Sequence, residues 1–199
     1  PKVFDANFQN TTDYLDGGKM NPGNGSSTGR FQAGMHLRRN TRLNCYNSVV
    51  AGWPIGLILD SEKGNTQKAA TDGLLQLHRI VFAGTDITGS DFNKVYKDEL
   101  YNYQSKTTDP SKKSFSSTFF LLPANGNKVV DQWVARSWQG IQSIIAASTS
   151  VGGALQGSFA ELQSNNWFDK SATFVGAFRD ASDDWTAGWA NFDPENTIY

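Results

Sequence analysis

Two stretches decide the fold: "LNCYNSVVAGWPIGLILD", Leu43–Asp60, and "QLHRIVFAG", Gln76–Gly84. Placing Gly52 on Gly84 sets Cys45 on Leu77, Val49 on Val81, Val50 on Phe82 and Ala51 on Ala83, an offset of 32 residues. Each copy is short and apolar and ends on a glycine. If each belongs to one turn of a parallel β-solenoid, residues of equal rank stack in neighbouring strands, with Val50 over Phe82 pointing inward and Gly52 over Gly84 at a tight corner. A bare solenoid turn takes roughly 20–30 residues. The polar loop "DSEKGNTQKAATDG", residues 60–73, accounts for the excess.

Outward from this repeat, Met35–Leu37, Arg42–Tyr46, Ser48–Val50 and Gly56–Leu59 are predicted as short strands separated by Gly, Pro or polar corners. The fold expected is therefore all-β dominated, a right-handed parallel β-helix made of C-terminal turns. Residues 1–33 are so rich in Gly and Asn that an irregular loop is expected. Gly23, Gly25 and Gly29 do not form a phosphate cradle, because an extended segment follows where such a loop must open a helix. Residues 34–127 are assigned to β-helix turns with long excursions: residues 96–114 as a solvated loop, and "FSSTFFLLPANG" (115–126) as a short apolar strand stopped by Pro123. Residues 128–199 complete the same domain with a helix near 128–147 and an aromatic closing segment. The helix rests on the spacing of Val130, Trp133, Val134, Trp138, Ile141 and Ile145, with Asn127 as N-cap. In the tail, Phe174, Phe178, Trp185, Trp189, Phe192 and Tyr199 would each cost roughly 1.5–3 kcal/mol if left in water. The tail is expected to lie back on the body and seal an edge or end.

Composition narrows the function. The chain has 199 residues, 38% hydrophobic and 19% charged, with a net charge of −1, which gives no electrostatic support for nucleic acid as a partner. No apolar run reaches the ~18 residues a membrane span needs. The single cysteine, Cys45, excludes an internal disulfide framework and a thiolate cluster, and is expected to be buried as a small hydrophobe. "PKVFDANFQN" carries no signal-peptide pattern, as in a processed chain or a fragment.

The candidate binding residues are His36, Arg38, Arg39, Arg42 and Asp60, with His78 and Arg79 one repeat above. By strand alternation His36 and Arg38 share a face, which could form an anion-binding strip for an acidic glycan or simply a solvated rim with local ion pairs. A lyase needs a base and cationic charge stabilisation, and a glycosidase needs two carboxylates across a groove. No catalytic residue is assigned. "DASDD" at 180–184 could attract Ca²⁺ but lacks the ligand spacing of a dedicated loop, so no metal or cofactor is expected.

The segments "HLRRNTRLNCYNSVVAGWPIGLILD" and "FVGAFRDASDDWTAGWANFDPENTIY" resemble the C-terminal half of secreted or cell-surface right-handed parallel β-helix proteins of Bacteroidota, associated with type 9 secretion. The closing motif falls on Gly176, Ala177, Phe178, Trp185, Thr186, Gly188, Trp189, Asn191, Phe192, Asp193, Pro194 and Tyr199. Phe174 and Val175 stand where Tyr-Arg is usual, and Arg79 where Asn is common. The resemblance implies an extracellular or outer-membrane-associated protein and supplies no agreed catalytic residues. Two function classes follow: a non-catalytic module that binds a glycan or protein, or a carbohydrate-active β-helix lyase or hydrolase. A coil of C-terminal turns also implies an unpaired strand edge near Met35–Leu37, expected to meet the rest of a longer polypeptide or a partner subunit.

Overall fold

The computed structural model describes residues 32–131, 149–167 and 169–191. The Gly-rich segment 1–31, the predicted helix from Trp133 to Ile145, and Phe192, Asp193, Pro194 and Tyr199 of the closing motif lie outside the described residues.

Short strands joined by corners dominate, and most of them pair in parallel. The chain runs β1 (Ala33–Arg38), β2 (Asn44–Tyr46), β3 (Val49–Ala51), β4 (Ile55–Asp60), α1 (Thr66–Thr71), β5 (Gln76–His78), β6 (Val81–Ala83) and β7 (Ile87–Ser90). After the antiparallel hairpin β8 (Leu100–Asn102) and β9 (Thr107–Asp109) come α2 (Phe115–Phe120) and β10 (Lys128–Val130). Three parallel sheets are visited in rotation: β1-β4-β7, then β2-β5, then β3-β6-β10. Cys45 pairs with Leu77, Val49 with Val81, Val50 with Phe82 and Ala51 with Ala83, the register that the sequence repeat predicts.

The corners stack as well. Gly52 and Gly84 both take positive φ, 73° and 59°. Gly52 N–H donates to Ala83 O at 2.9 Å, and Gly84 N–H to Val130 O at 3.1 Å. At the preceding corner Asn47, Arg79 and Gly126 share the left-handed conformation. Asn tolerates it well and Arg poorly, so Arg79 needs fixed partners to hold it there.

Inside, Leu57, Leu59, Leu75, Leu77, Ile80, Phe82 and Phe120 are almost fully buried in one cluster. Space for the large ring of Phe82 comes from Gly56, where a Cβ would lie 2.2 Å from the ring. Phe120 stacks on the other side of Phe82 at 4.0 Å between centroids, so α2 closes this end of the core. Cys45 is half-buried against the same cluster, less enclosed than expected, with Sγ 3.3 Å from Ser48 Oγ.

Several expectations are corrected. "FSSTFF" is α2, not a strand: Ser114 Oγ accepts from Ser117 N–H at 3.0 Å as an N-cap. Beneath it the buried Asp91 carboxylate accepts from the N–H groups of Phe115, Ser116 and Tyr101 and from Ser116 Oγ. Burial raises the Asp91 pKa above its ordinary value despite these donors. Where β7 ends, Leu59 N–H turns to Ser116 Oγ at 3.0 Å, so the helix takes over a strand's place on β4. Within the polar loop, Thr66–Thr71 forms α1, burying Ala69 and Ala70 against the core. Lys128–Val130 is a strand on β6 and not the start of a helix. Asn127 is not an N-cap: its amide donates to Leu77 O and Phe120 O, both at 2.9 Å, and its Oδ1 accepts from Ile80 N–H.

The described part of the closing segment packs on one of the parallel sheets. Val151 and Val175 pack with Val81 and Ala83 on the outer face of β3-β6-β10, and Gly176 N–H donates to Asn47 O at 2.8 Å. Phe178 is buried, but Trp185 and Trp189 stay 54% and 68% exposed, contrary to the expectation that burial would claim them. Among the described residues no helix is long and apolar enough to cross a membrane.

Candidate functional site

The predicted residues divide between two places. On the first sheet, parallel pairing sets Arg38 opposite Asp60 and His36 opposite Ile58. His36 Nε2 reaches Asp60 Oδ2 at 3.4 Å, and Asp60 Oδ1 accepts from Glu62 N–H at 2.7 Å. The Asp60 side chain is 1% exposed. Burial pushes its pKa up, but His36, the Glu62 N–H and the nearby Arg38 charge outweigh burial and hold it below the usual carboxylate value. Asp60 is therefore an ionised carboxylate in the first sheet.

His36 and Arg38 line a cleft of about 460 Å³ together with Gln32, Ala33 and Asn93. Gln32 Nε2 donates to Asn93 O at 2.6 Å, tying the loop after β7 to the start of β1. Two side-chain atoms of these residues, Arg38 Nε and Asn93 Oδ1, are buried beneath the surface and find no hydrogen-bond partner among the described residues. One is a donor and the other an acceptor. Arg39 and Arg42 are exposed and do not line the cleft, and Arg39 sits in the left-handed turn that follows β1.

His78 and Arg79 are carried elsewhere, because β5 belongs to the second sheet. The His78 ring stacks on Tyr46 with centroids 5.5 Å apart, and Tyr46 OH donates to Gln76 Oε1. Arg79 grips the segment after residue 156. Its Nη1 donates to Glu161 Oε1 at 2.9 Å and its Nη2 to Glu161 Oε2, a bidentate pair, while Nε–H points to Ser158 O at 2.8 Å and Asn47 Oδ1 at 3.2 Å. The guanidinium is thus committed within the chain, and it fixes its own strained corner in doing so. His78 Nδ1 lies 3.6 Å from Glu161 Oε1. Desolvation lowers the His78 pKa, more than the nearby Glu161 charge raises it. Glu161 stands 82 residues beyond Arg79, and nothing in the local sequence announces the pairing.

In the closing segment the acidic run 180–184 serves turns. Asp180 Oδ1 accepts from Ser182 N–H and Oγ, Asp183 Oδ2 from Arg179 N–H, and Asp184 Oδ1 from Thr186 N–H and Oγ. Among the described residues no group of three His, Cys, Asp or Glu could hold a metal ion. Beside this run Phe178, Trp185 and Trp189 form an aromatic row, with centroids 6.0 and 5.6 Å apart in succession. Both indole N–H groups are tied to backbone carbonyls, Trp185 to Ala177 O at 2.8 Å and Trp189 to Trp185 O at 3.0 Å.

No protein-family model matches the chain, and neither a curated protein nor a solved structure matches it significantly.

Proposed function

We propose that the chain forms C-terminal turns of a right-handed parallel β-helix of the Bacteroidota surface type. In this reading it works outside the cell, without catalysis, as a binding or assembly module for a glycan or protein partner. The observation that carries the proposal is the exposed Trp185–Trp189 pair. With their N–H groups held by carbonyls, the two rings keep fixed orientations and offer large exposed areas, which suits stacking against sugar rings or a partner's apolar side chains. The in-register coil beneath supplies a rigid support, so little ordering entropy is lost on binding. β1, β2 and β3 each have a neighbour on one side only among the described strands, which supports an assembly role for that edge.

The test is retention on immobilised polysaccharides. Wild type is expected to be retained on at least one, and the Trp185→Ala/Trp189→Ala double variant to lose retention with an unchanged melting temperature. Equal retention of both would refute the role of the pair.

The His36–Asp60 pair beside the cleft favours a second reading, a carbohydrate-active lyase or hydrolase, because a carboxylate that orients a histidine is an arrangement suited to general-base work. Release of new unsaturated or reducing ends from a polysaccharide, abolished by His36→Gln, would decide for it.

A further inference from the structure

The aromatic row and the acidic turns beside it together restrict what the exposed surface can hold. Trp185 and Trp189 are 54% and 68% exposed, with centroids 5.6 Å apart and planes tilted by 35°. Each indole N–H is already engaged by a carbonyl, at 2.8 and 3.0 Å, so these two side chains offer a ligand ring face and no donor. In the run 179–184 the carboxylates of Asp180, Asp183 and Asp184 stand against the one guanidinium of Arg179, a formal charge of −2. Arg179 faces two of them, with Nε 3.8 Å from Asp180 Oδ2 and Nη2 3.6 Å from Asp183 Oδ1. Asp184 gives Oδ1 to the Thr186 turn, which leaves Oδ2 outside that turn, one residue before Trp185. An acidic sugar would bring like charge to these carboxylates. A cationic side chain is drawn to an indole face, but it covers one ring where the row offers two, and it finds two of the three carboxylates already facing Arg179. A neutral pyranose chain with equatorial linkages and hydroxyls uses both parts of the surface. Both faces of each sugar ring carry only C–H groups, which stack on indole, and a hydroxyl at the rim donates to a carboxylate in a charge-assisted bond.

We propose that Trp185 and Trp189 seat two consecutive rings of a neutral, equatorially linked glycan, and that Asp184 Oδ2 accepts from one of its hydroxyls. This rests on the reading of the chain as a glycan-binding module and names the sugar class.

The experiment is a nuclear magnetic resonance titration of the full chain that follows the indole N–H signals of Trp185 and Trp189. The neutral probes are cellotetraose and xylotetraose. The charged probes keep the cellotetraose linkage, one with a carboxylate on each ring (the glucuronate tetramer) and one with an amine (the glucosamine tetramer). At least one neutral probe is expected to shift both indole signals saturably, at least about tenfold more tightly than either charged probe, a margin of about 1.4 kcal/mol. Trp189→Ala should remove the saturable response, and Trp189→Phe, which keeps a ring face, should retain it in weaker form. Asp184→Asn keeps an acceptor for the Thr186 turn and should weaken the neutral probe; unchanged affinity would overturn the carboxylate contact. Movement of one indole alone would overturn the two-ring seating. A charged probe bound as tightly as the neutral ones would overturn the sugar class and leave the binding-module reading in place. The same holds for the site if sugars moved other signals of the chain and neither indole. If no probe moved any signal, the glycan reading would fall together with this proposal. The wild-type titration alone can refute the proposal, so a misfolded variant does not rescue it.

Discussion

Substituting Gly56 probes the packed core between the parallel sheets. A Cβ there would lie 2.2 Å from Phe82 Cδ2 and 2.4 Å from Cε2. Phe82 cannot retreat, because Phe120 stacks on it at 4.0 Å and both rings are completely buried. Gly56→Ala should therefore cost ~1–3 kcal/mol through overpacking. Phe82→Ala should cost ~3–5 kcal/mol by opening a cavity. In the double variant the new methyl enters the vacated space, the clash is gone, and alanine's lower backbone entropy in the unfolded chain returns ~0.5–1 kcal/mol. The two substitutions should thus couple favourably by on the order of 1–3 kcal/mol. Urea unfolding of all four proteins, followed by circular dichroism and fluorescence with a common slope, measures this directly. Phe82→Leu gives the same cycle in a milder form. Additivity within ~0.5 kcal/mol would show that Gly56 does not face Phe82, and the packing argument would fall with it.

Glu161→Gln should lower stability by ~1 kcal/mol near neutral pH, a value reduced for the partial exposure of Glu161. Arg79 depresses the folded-state pKa of Glu161 below its ordinary 4.5, so the contribution is present above that value and fades as pH falls through the folded value. Wild type and variant should converge in acid, and a constant gap down to the acid transition would contradict the pairing. Asp91→Asn leaves fewer acceptors for the four donors around that side chain. A loss of ~1–3 kcal/mol is expected, seen as a melting temperature lower by roughly 2–4 °C per kcal/mol, and an unchanged melting curve would show that α2 does not depend on this carboxylate.

The parallel pairing was legible where the same apolar pattern recurs at equal spacing. β2 with β5 and β3 with β6 follow from the 32-residue repeat because each stacked pair needs similar size and polarity. β1 with β4 did not, since that offset is 22 residues and Met35-His36-Leu37 bears little likeness to Leu57-Ile58-Leu59. α2 was misread because "FSSTFF" carries aromatic and hydroxyl residues suited to a strand. What makes it a helix is the Ser114 cap and the Asp91 carboxylate, 24 residues before Phe115. The site was half legible. Alternation on one strand placed His36 and Arg38 together, and Asp60 joined them through pairing. His78 and Arg79 were grouped with them only because they lie one repeat later; the rotation of the chain through three sheets puts them on another side, where Glu161 occupies them. Gln32 and Asn93 gave no signal at all, since a neutral amide in a loop acquires meaning only when folding buries it.

The stacking of one repeat on the next supports every later step, and the chain's single cysteine offers a direct measurement of it. Cys45 and Leu77 are register partners, and neighbours in a parallel pair lie ~4.8 Å apart, within the ~4.4–6.8 Å that a disulfide spans. Leu77→Cys, mildly oxidised and then denatured without reductant, should be a monomer with no free thiol. Ile80→Cys, equally buried but further along the chain, should keep both thiols. Two free thiols in a folded Leu77→Cys protein, or crosslinks only between molecules, would contradict the account.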